Sequence, residues 1–257
     1  MHTENSIQIA DLSFAYGEQP VLQNINLQFP AHRFSVLLGR NGSGKSTLFN
    51  IIAGLLRHSS GSVKLLGKET NFLSYGERAR LIGFLPQFHK AVFPFQVRDV
   101  ILTGRAAFSG IRPSKEDSGR VNRAMAELGI DHLAGRAYTE LSGGEQQLVM
   151  IARILVQNPS VIILDEPTNH LDVYHQTQLL GHLKRLSRSS YTIIAIMHDP
   201  NLAFLHADHF YFMRHKTVVY PPGGQGHYDV QFLKEVYDVN FKIVPVDDRK
   251  IVVPVQQ

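Results

Sequence analysis

The chain has 257 residues, enough for one large core or two small ones, and its 44% hydrophobic and 19% charged composition excludes a disordered segment. It has no cysteine, which excludes a disulfide framework, and no apolar run near the ~18 residues that cross a bilayer. The net charge of +4 is spread thinly, densest at Lys184, Arg185 and Arg188, so no nucleic acid is expected as a partner.

The first five residues lack the basic-then-apolar pattern of a signal peptide, which points to the cytoplasm. Ile7 and Ile9 alternate, the parity changes before Leu12 and Phe14, and alternation returns at Ile25, Leu27 and Phe29. Gly17-Glu18-Gln19-Pro20 separates the two runs as a turn, so an antiparallel pair is predicted. Residues 34–38 are apolar apart from Ser35, the pattern of a strand buried on both faces of a largely parallel sheet.

Gly39-Arg40-Asn41-Gly42-Ser43-Gly44-Lys45-Ser46-Thr47 follows at once, and Leu48, Ile51, Ile52, Leu55 and Leu56 then repeat at helical spacing. A strand, a G-x-x-x-x-G-K-S loop and a helix in that order form a phosphate cradle. The glycines let backbone N–H groups curl around phosphate oxygens, and the helix start adds its own unpaired donors. Lys45 would reach the β- and γ-phosphates of ATP, and the Ser46 hydroxyl would complete a Mg²⁺ shell. A purely structural glycine turn would leave the Lys45-Ser46 pair unexplained.

Val63 and Leu65, after Gly61, suggest another strand of the antiparallel kind, and residues 81–85 read as a second buried strand with Gln87 just beyond. From about residue 90 to residue 157 the pattern is almost wholly helical. Val121, Ala124, Met125 and Leu128 form one stripe, stopped by Gly129; Leu148, Ile151, Ala152 and Leu155 form another, with Pro159 after it. Leu141-Ser142-Gly143-Gly144-Glu145-Gln146-Gln147 opens the second of these helices. A small-residue loop feeding a helix N-terminus is a second anion site or, more plainly, a flexible turn.

Val161 to Leu164 is a third buried run, and it ends on Asp165-Glu166. Adjacent carboxylates at the end of an apolar strand are costly unless a cation meets them, and ligands bind beyond strand carboxyl ends in open α/β sheets. Asp165 would hold the metal and Glu166 would act as general base; a helix-capping role is the alternative. Residues 192–197 form a fourth buried strand ending before His198, and residues 241–253 read as two short strands around Asp247-Asp248. His206 and His209 have no further ligands nearby in sequence and predict no metal.

The expected fold is therefore α/β. It is a P-loop NTPase (RecA-like) core over residues 1–89 and 158–257 with an antiparallel β subdomain, interrupted by an α-helical subdomain over residues 90–157.

Taken in order, these motifs resemble the ATP-binding-cassette family over nearly the whole chain, with the Ser142-Gly143-Gly144 segment matching its signature. The resemblance implies that Tyr16 stacks on adenine, that Gln87 touches Mg²⁺ and senses the γ-phosphate, and that His198 contacts the γ-phosphate. It implies that Asn169-His170-Leu171-Asp172 crosses a dimer interface, with Asp172 near the nucleotide. It also implies a homodimer whose two ATP molecules each lie between the phosphate loop of one copy and Ser142, Gly143 and Gly144 of the other. Two departures stand out: Arg40 where many relatives have proline, and Pro200 after His198-Asp199 where leucine is common.

Phe93-Pro94-Phe95-Gln96-Val97-Arg98-Asp99-Val100, leading to Gly104-Arg105, resembles the importer branch for iron chelates, haem and cobalamin, as does the short C-terminal extension. That branch implies permease subunits that span the membrane, a periplasmic or surface substrate-binding protein, and a peripheral place on the cytoplasmic face of the inner membrane. Manganese, zinc and molybdate importers have similar sequences here. An exporter fits the 93–105 segment less well, and a soluble cassette protein is expected to carry two cassettes in one chain or a long coiled-coil insertion, neither of which this sequence shows. The phenylalanines there either receive a permease helix or fill the helical core.

Overall fold

The computed structural model describes residues 5–87, 94–108, 114–222, 228–247 and 249–255. β1 (Asn5–Tyr16), β2 (Gln19–Pro30), β3 (Phe34–Leu38), α1 (Lys45–Ile52), β4 (Ser60–Leu65) and β5 (Lys68–Glu69) open the chain. α2 (Tyr75–Leu81), β6 (Ile82–Leu85), α3 (Val97–Leu102), α4 (Lys115–Leu128), α5 (Gly143–Leu155), β7 (Val161–Asp165) and α6 (Val173–Ser189) follow. β8 (Thr192–Ile196), α7 (Pro200–His206), β9 (His209–Arg214), β10 (Thr217–Val219), α8 (Val230–Tyr237), β11 (Asn240–Val246) and β12 (Arg249–Val255) complete it. These elements form two compact units, Met1–Phe72 with Ile194–Gln257, and Leu73–Ile193.

In the first unit β1 lies between β2 and β4, antiparallel to both, with Ile7 opposite Phe29 and Leu65. The change of parity after Ile9 is a bulge: the register shifts between Ile9 and Leu12, and Asp11 adopts φ 50°. The Asn26 amide fills it, donating to Asp11 Oδ1 at 3.1 Å while its Oδ1 accepts from the Asp11 N–H at 3.0 Å. The bulge returns Leu12 to the face of Ile7 and Ile9, so all three are buried.

A second sheet of this unit runs in the order β10-β9-β3-β8, with β9 parallel to β3 and β10 antiparallel to β9. The Tyr211 hydroxyl on β9 donates to the Gln28 carbonyl of β2 at 2.8 Å, and its ring meets Phe29 edge-on at 5.1 Å. α1 buries Leu48, Phe49, Ile51 and Ile52 but ends there. The continuation expected through Leu55 and Leu56 does not occur, because Gly54 turns left-handed (φ 71°) and leaves Leu55 63% exposed. The hairpin β11–β12 forms around Asp247 as the sequence predicts.

In the second unit β6 and β7 are parallel neighbours. α4 begins with a capping box between Ser114 and Asp117 and stops at left-handed Gly129, burying Val121, Ala124, Met125 and Leu128. Asp117 serves twice, since its Oδ1 also accepts from Arg105 Nε at 2.7 Å, with side chains only 14% and 5% exposed. Arg105→Ala takes the guanidinium away from a buried carboxylate. It is expected to destabilise the protein by about 3 kcal/mol or more, read as a lower urea midpoint. A midpoint unchanged from the parent would show that this pair is structurally idle.

Candidate nucleotide site

In the first unit, β3 delivers the chain directly into residues 39–44, and α1 begins at Lys45. Glycine is required at both ends of this turn. Gly39 has φ 140°, and a Cβ there would lie 2.3 Å from the Met213 carbonyl oxygen of β9. Gly44 has φ 106°, and a Cβ would lie 2.9 Å from the Val21 carbonyl oxygen of β2. The sheet therefore holds the loop from beneath, while Asn41 and Gly42 at its tip stay exposed.

Lys45 is 5% exposed, and its Nζ donates to the Gly39 and Arg40 carbonyls at 2.7 and 2.8 Å. A buried ammonium laid along the loop it belongs to supplies positive charge where an anion would enter. Ser43, Ser46 and Thr47 are half-buried on the same turn. The glycine cradle, the lysine and the helix start together fit a nucleotide polyphosphate.

Tyr16 ends β1 at 51% exposure, its ring edge-on to Phe14 at 4.9 Å. Its register partner is Gln19 of β2, the strand whose Val21 abuts Gly44, so one hairpin carries both the aromatic and the support of the loop. His198 is half-buried just after β8. The preceding Met197 N–H donates to the Leu37 carbonyl at 3.3 Å, so His198 leaves the sheet beside the strand that opens the phosphate loop. Asp199 and Pro200 then start α7: the Asp199 carboxylate caps Asn201 and Leu202, and Pro200 takes the first helical turn, where its missing N–H is not needed. Arg40 pairs with Asp238 at 3.0 Å, but with side chains 58% and 80% exposed the pair contributes little.

In the second unit, Asp165 closes β7 at 7% exposure, and Glu166 follows with φ 54°. A left-handed non-glycine residue here stores strain of order 1–3 kcal/mol, and it re-aims the side chain as the strand ends. The Glu166 Oε2 accepts from both the Gln87 Nε2 and the Asn169 Nδ2. The Asn169 N–H also donates to the Glu166 carbonyl at 3.2 Å. Asp165, Glu166 and Gln87 are thus gathered at the end of the β6–β7 pair.

Ser142 is the N-cap of α5 in a complete capping box with Glu145. The backbone hydrogen bond from Ser142 holds the Glu145 carboxyl below its usual range, against the opposing effect of burial. Because that pKa is depressed, the capping contribution is present at neutral pH and is lost as acid protonates Glu145. Ser142 and Gly143 are exposed, and Gly144 is buried. Asp172 caps α6, with its Oδ1 accepting from the His175 N–H at 2.8 Å. Hydrogen bonds from the His175 backbone and then its side chain hold the Asp172 carboxyl below its ordinary value.

Each unit thus gathers its own share of the residues singled out from sequence. The first holds Tyr16, residues 39–47 and His198; the second holds Gln87, Ser142, Gly143, Gly144, Asp165, Glu166 and Asp172. Sequence reading missed Asn169 as a holder of Glu166 and His175 as a partner of Asp172. The second was available, because residue 175 stands at the third position after a capping aspartate, where a side chain can reach back.

The sequence pattern of the ABC transporter family matches residues 22–169. The chain is 36% identical over 243 residues to the achromobactin transport ATP-binding protein of Dickeya dadantii, covering 93% of this chain and 90% of that one. It is 34% identical over 248 residues to the hemin import ATP-binding protein of Bordetella avium, covering 93% and 95%. It superposes on a chain of a metal-chelate type ABC transporter in an inward-facing conformation with a TM-score of 0.83, 26% identity and 99% coverage of both. With a phosphate cradle in one unit and paired carboxylates and a capped signature helix in the other, the chain belongs to the ABC transporter family, as one of its ATP-binding, ATP-hydrolysing cassettes.

Proposed function

We propose that this protein is the ATPase subunit of a bacterial importer that takes up a metal chelate of the iron-siderophore, haem or cobalamin type. The observation that carries this is similarity over more than nine-tenths of the chain, to an achromobactin transport protein, a hemin import protein and a metal-chelate transporter. Two copies work beneath permease subunits on the cytoplasmic face of the inner membrane, and a binding protein delivers cargo outside. Residues 1–89 and 158–257 make the catalytic core; residues 90–157 form the helical subdomain. No helix among the described residues is long and apolar enough to cross a membrane, which suits a motor that borrows its membrane path from other subunits.

Backbone N–H groups of residues 39–47 hold the phosphates, Lys45 neutralises the β- and γ-phosphates, and Tyr16 stacks on adenine. Ser46, Asp165 and Gln87 supply oxygen donors suited to Mg²⁺, which when bound balances phosphate charge. Glu166, re-aimed by its left-handed backbone, takes a proton from the attacking water. His198 and Lys45 stabilise charge as it develops on the phosphoryl group, and Ser142, Gly143 and Gly144 of the second copy close over it. Catalysis of this kind is positioning and electrostatics.

ATP-driven uptake by vesicles holding the ATPase with its co-purified membrane subunits tests this reading, with haem and ferric siderophores as cargo. Uptake that needs both ATP and an intact Glu166 is expected. Hydrolysis that never couples to any chelate would contradict it.

Phe95 is 59% exposed, which removes it from any core-filling role; Phe93 lies outside the described residues. An exposed phenylalanine three residues before Arg98 on α3 suits contact with a permease helix. Phe95→Ser is expected to weaken assembly with the membrane subunits, seen as loss of co-purification, while the isolated subunit keeps its ATPase rate. Unchanged co-purification would place the permease contact elsewhere.

A further inference from the structure

Gly144 is buried in the first turn of α5, and His175 stands in the first turn of α6, whose cap is Asp172. A Cβ built on Gly144 would come within 2.1 Å of His175 Cδ2 and 2.3 Å of its Cγ, so the imidazole lies against the bare glycine backbone. The other edge of the same ring is engaged as well, with Nδ1 2.8 Å from Asp172 Oδ1. An ionised carboxylate can only accept, so Nδ1 carries the proton and donates. The Tyr174 ring stands edge-on to the imidazole, centroids 5.3 Å apart, and confines it. The neighbouring glycine differs: a Cβ on Gly143 would meet only the His170 carbonyl oxygen, at an ordinary 3.9 Å. Of these two adjacent glycines, only Gly144 owes its missing side chain to a close contact within the unit.

We infer that His175 is a positioning residue that ties Asp172 to the Ser142–Gly144 loop, so that the two loops offered to a second cassette move as one. This rests on the proposed reading that both loops face the second copy. The Asp172 carboxylate keeps its backbone cap whether or not the ring is present, since that bond comes from the N–H of residue 175. What the ring adds is a sideways anchor for Asp172 and a packing surface for Gly144. A disturbance at either loop is then passed to the other through one rigid side chain.

The test uses the Glu166→Gln chain, in which bound ATP persists. ATP is titrated while the dimer is followed by size exclusion, and a fluorescent ATP analogue reports affinity at concentrations where the chain is monomeric. His175→Ala is expected to raise the ATP needed for half-dimerisation about tenfold, the effect of losing a hydrogen bond to a charged group, with monomer affinity unchanged. His175→Asn, whose amide can donate from the place of Nδ1, is expected to restore dimerisation and guards against a mere folding defect. Gly144→Ala is expected to abolish the dimer. Adding His175→Gly removes both the ring and the Cβ that the new methyl would meet at 2.1 to 2.8 Å, so the double variant recovers to the level of His175→Gly alone. The inference is overturned if His175→Ala dimerises like its parent, or if Gly144→Ala stays as defective after the ring is gone. A Glu166→Gln parent that forms no ATP-dependent dimer would overturn the two-copy reading first, and the inference with it.

Discussion

Lys45→Ala is expected to bind ATP at least about 100-fold more weakly than the parent while keeping its fold, because charge-assisted hydrogen bonds are the strong ones in a phosphate cradle. The Lys45 ammonium is buried and already lies along the loop, on the Gly39 and Arg40 carbonyls at 2.7 and 2.8 Å. Its cost of burial has thus been met before nucleotide arrives, and its charge is available to the phosphates. The loop itself does not depend on that side chain. Its shape comes from Gly39 and Gly44 seated against the Met213 and Val21 carbonyl oxygens, and alanine suits the first turn of α1. Nucleotide titration and circular dichroism on the same sample check this. A folded variant with undiminished affinity would show that the cradle does not receive the phosphates.

Glu166→Gln is expected to slow hydrolysis by ~10²–10⁴-fold, the usual cost of losing a general base, while ATP stays bound. The substitution keeps the length and planarity of the side chain, and the left-handed backbone at φ 54° still aims it as before. What changes is the ability to take a proton. The neighbours also respond, since the Gln87 and Asn169 amides now donate to the same Glu166 oxygen. An amide in its place offers one acceptor oxygen and a donor that one of them must avoid. Slow turnover leaves ATP between two copies, so a dimer should appear on size exclusion with ATP and vanish without it. Single-turnover measurement at saturating ATP separates the chemical step from release. A variant hydrolysing at the parent rate would mean that another group activates the water.

Much of this could be read from spacing because the physics is local. Ile7, Ile9, Leu12, Ile25, Leu27 and Phe29 share one buried face of a hairpin, and the change of parity before Leu12 is legible in sequence, although only the fold shows it to be a bulge at Asp11. Val121, Ala124, Met125 and Leu128 sit one helical turn apart, and Gly129 ended their helix as expected. The phosphate loop was legible since its strand and helix flank it directly.

The remainder depended on long-range contact. α1 was read too long because Leu55 and Leu56 keep the helical spacing, although Gly54 had already turned the chain. β9 went unread among aromatic residues Phe210, Tyr211 and Phe212, whose burial comes from β3 and β2 rather than from any period of their own. Nothing in the order Asp165-Glu166 shows that the second carboxylate sits at positive φ, held by amides from residues 87 and 169. Likewise Gly144 reads in sequence as a flexible turn, whereas in the fold its missing side chain makes room for His175.

The central claim, that each ATP is shared between the phosphate loop of one copy and the signature of another, can be tested directly because the chain has no cysteine of its own. Two single-cysteine chains are made in the Glu166→Gln background, one carrying Ser43→Cys in the phosphate loop and the other Ser142→Cys in the signature. Each alone, and an equal mixture of the two, are treated with a short bifunctional thiol reagent with and without ATP, and covalent dimers are resolved on a denaturing gel. The account predicts a cross-linked dimer of one chain of each kind, in the mixture and only when ATP is present. A mixture that yields no ATP-dependent cross-link, from chains that bind ATP normally, would contradict it.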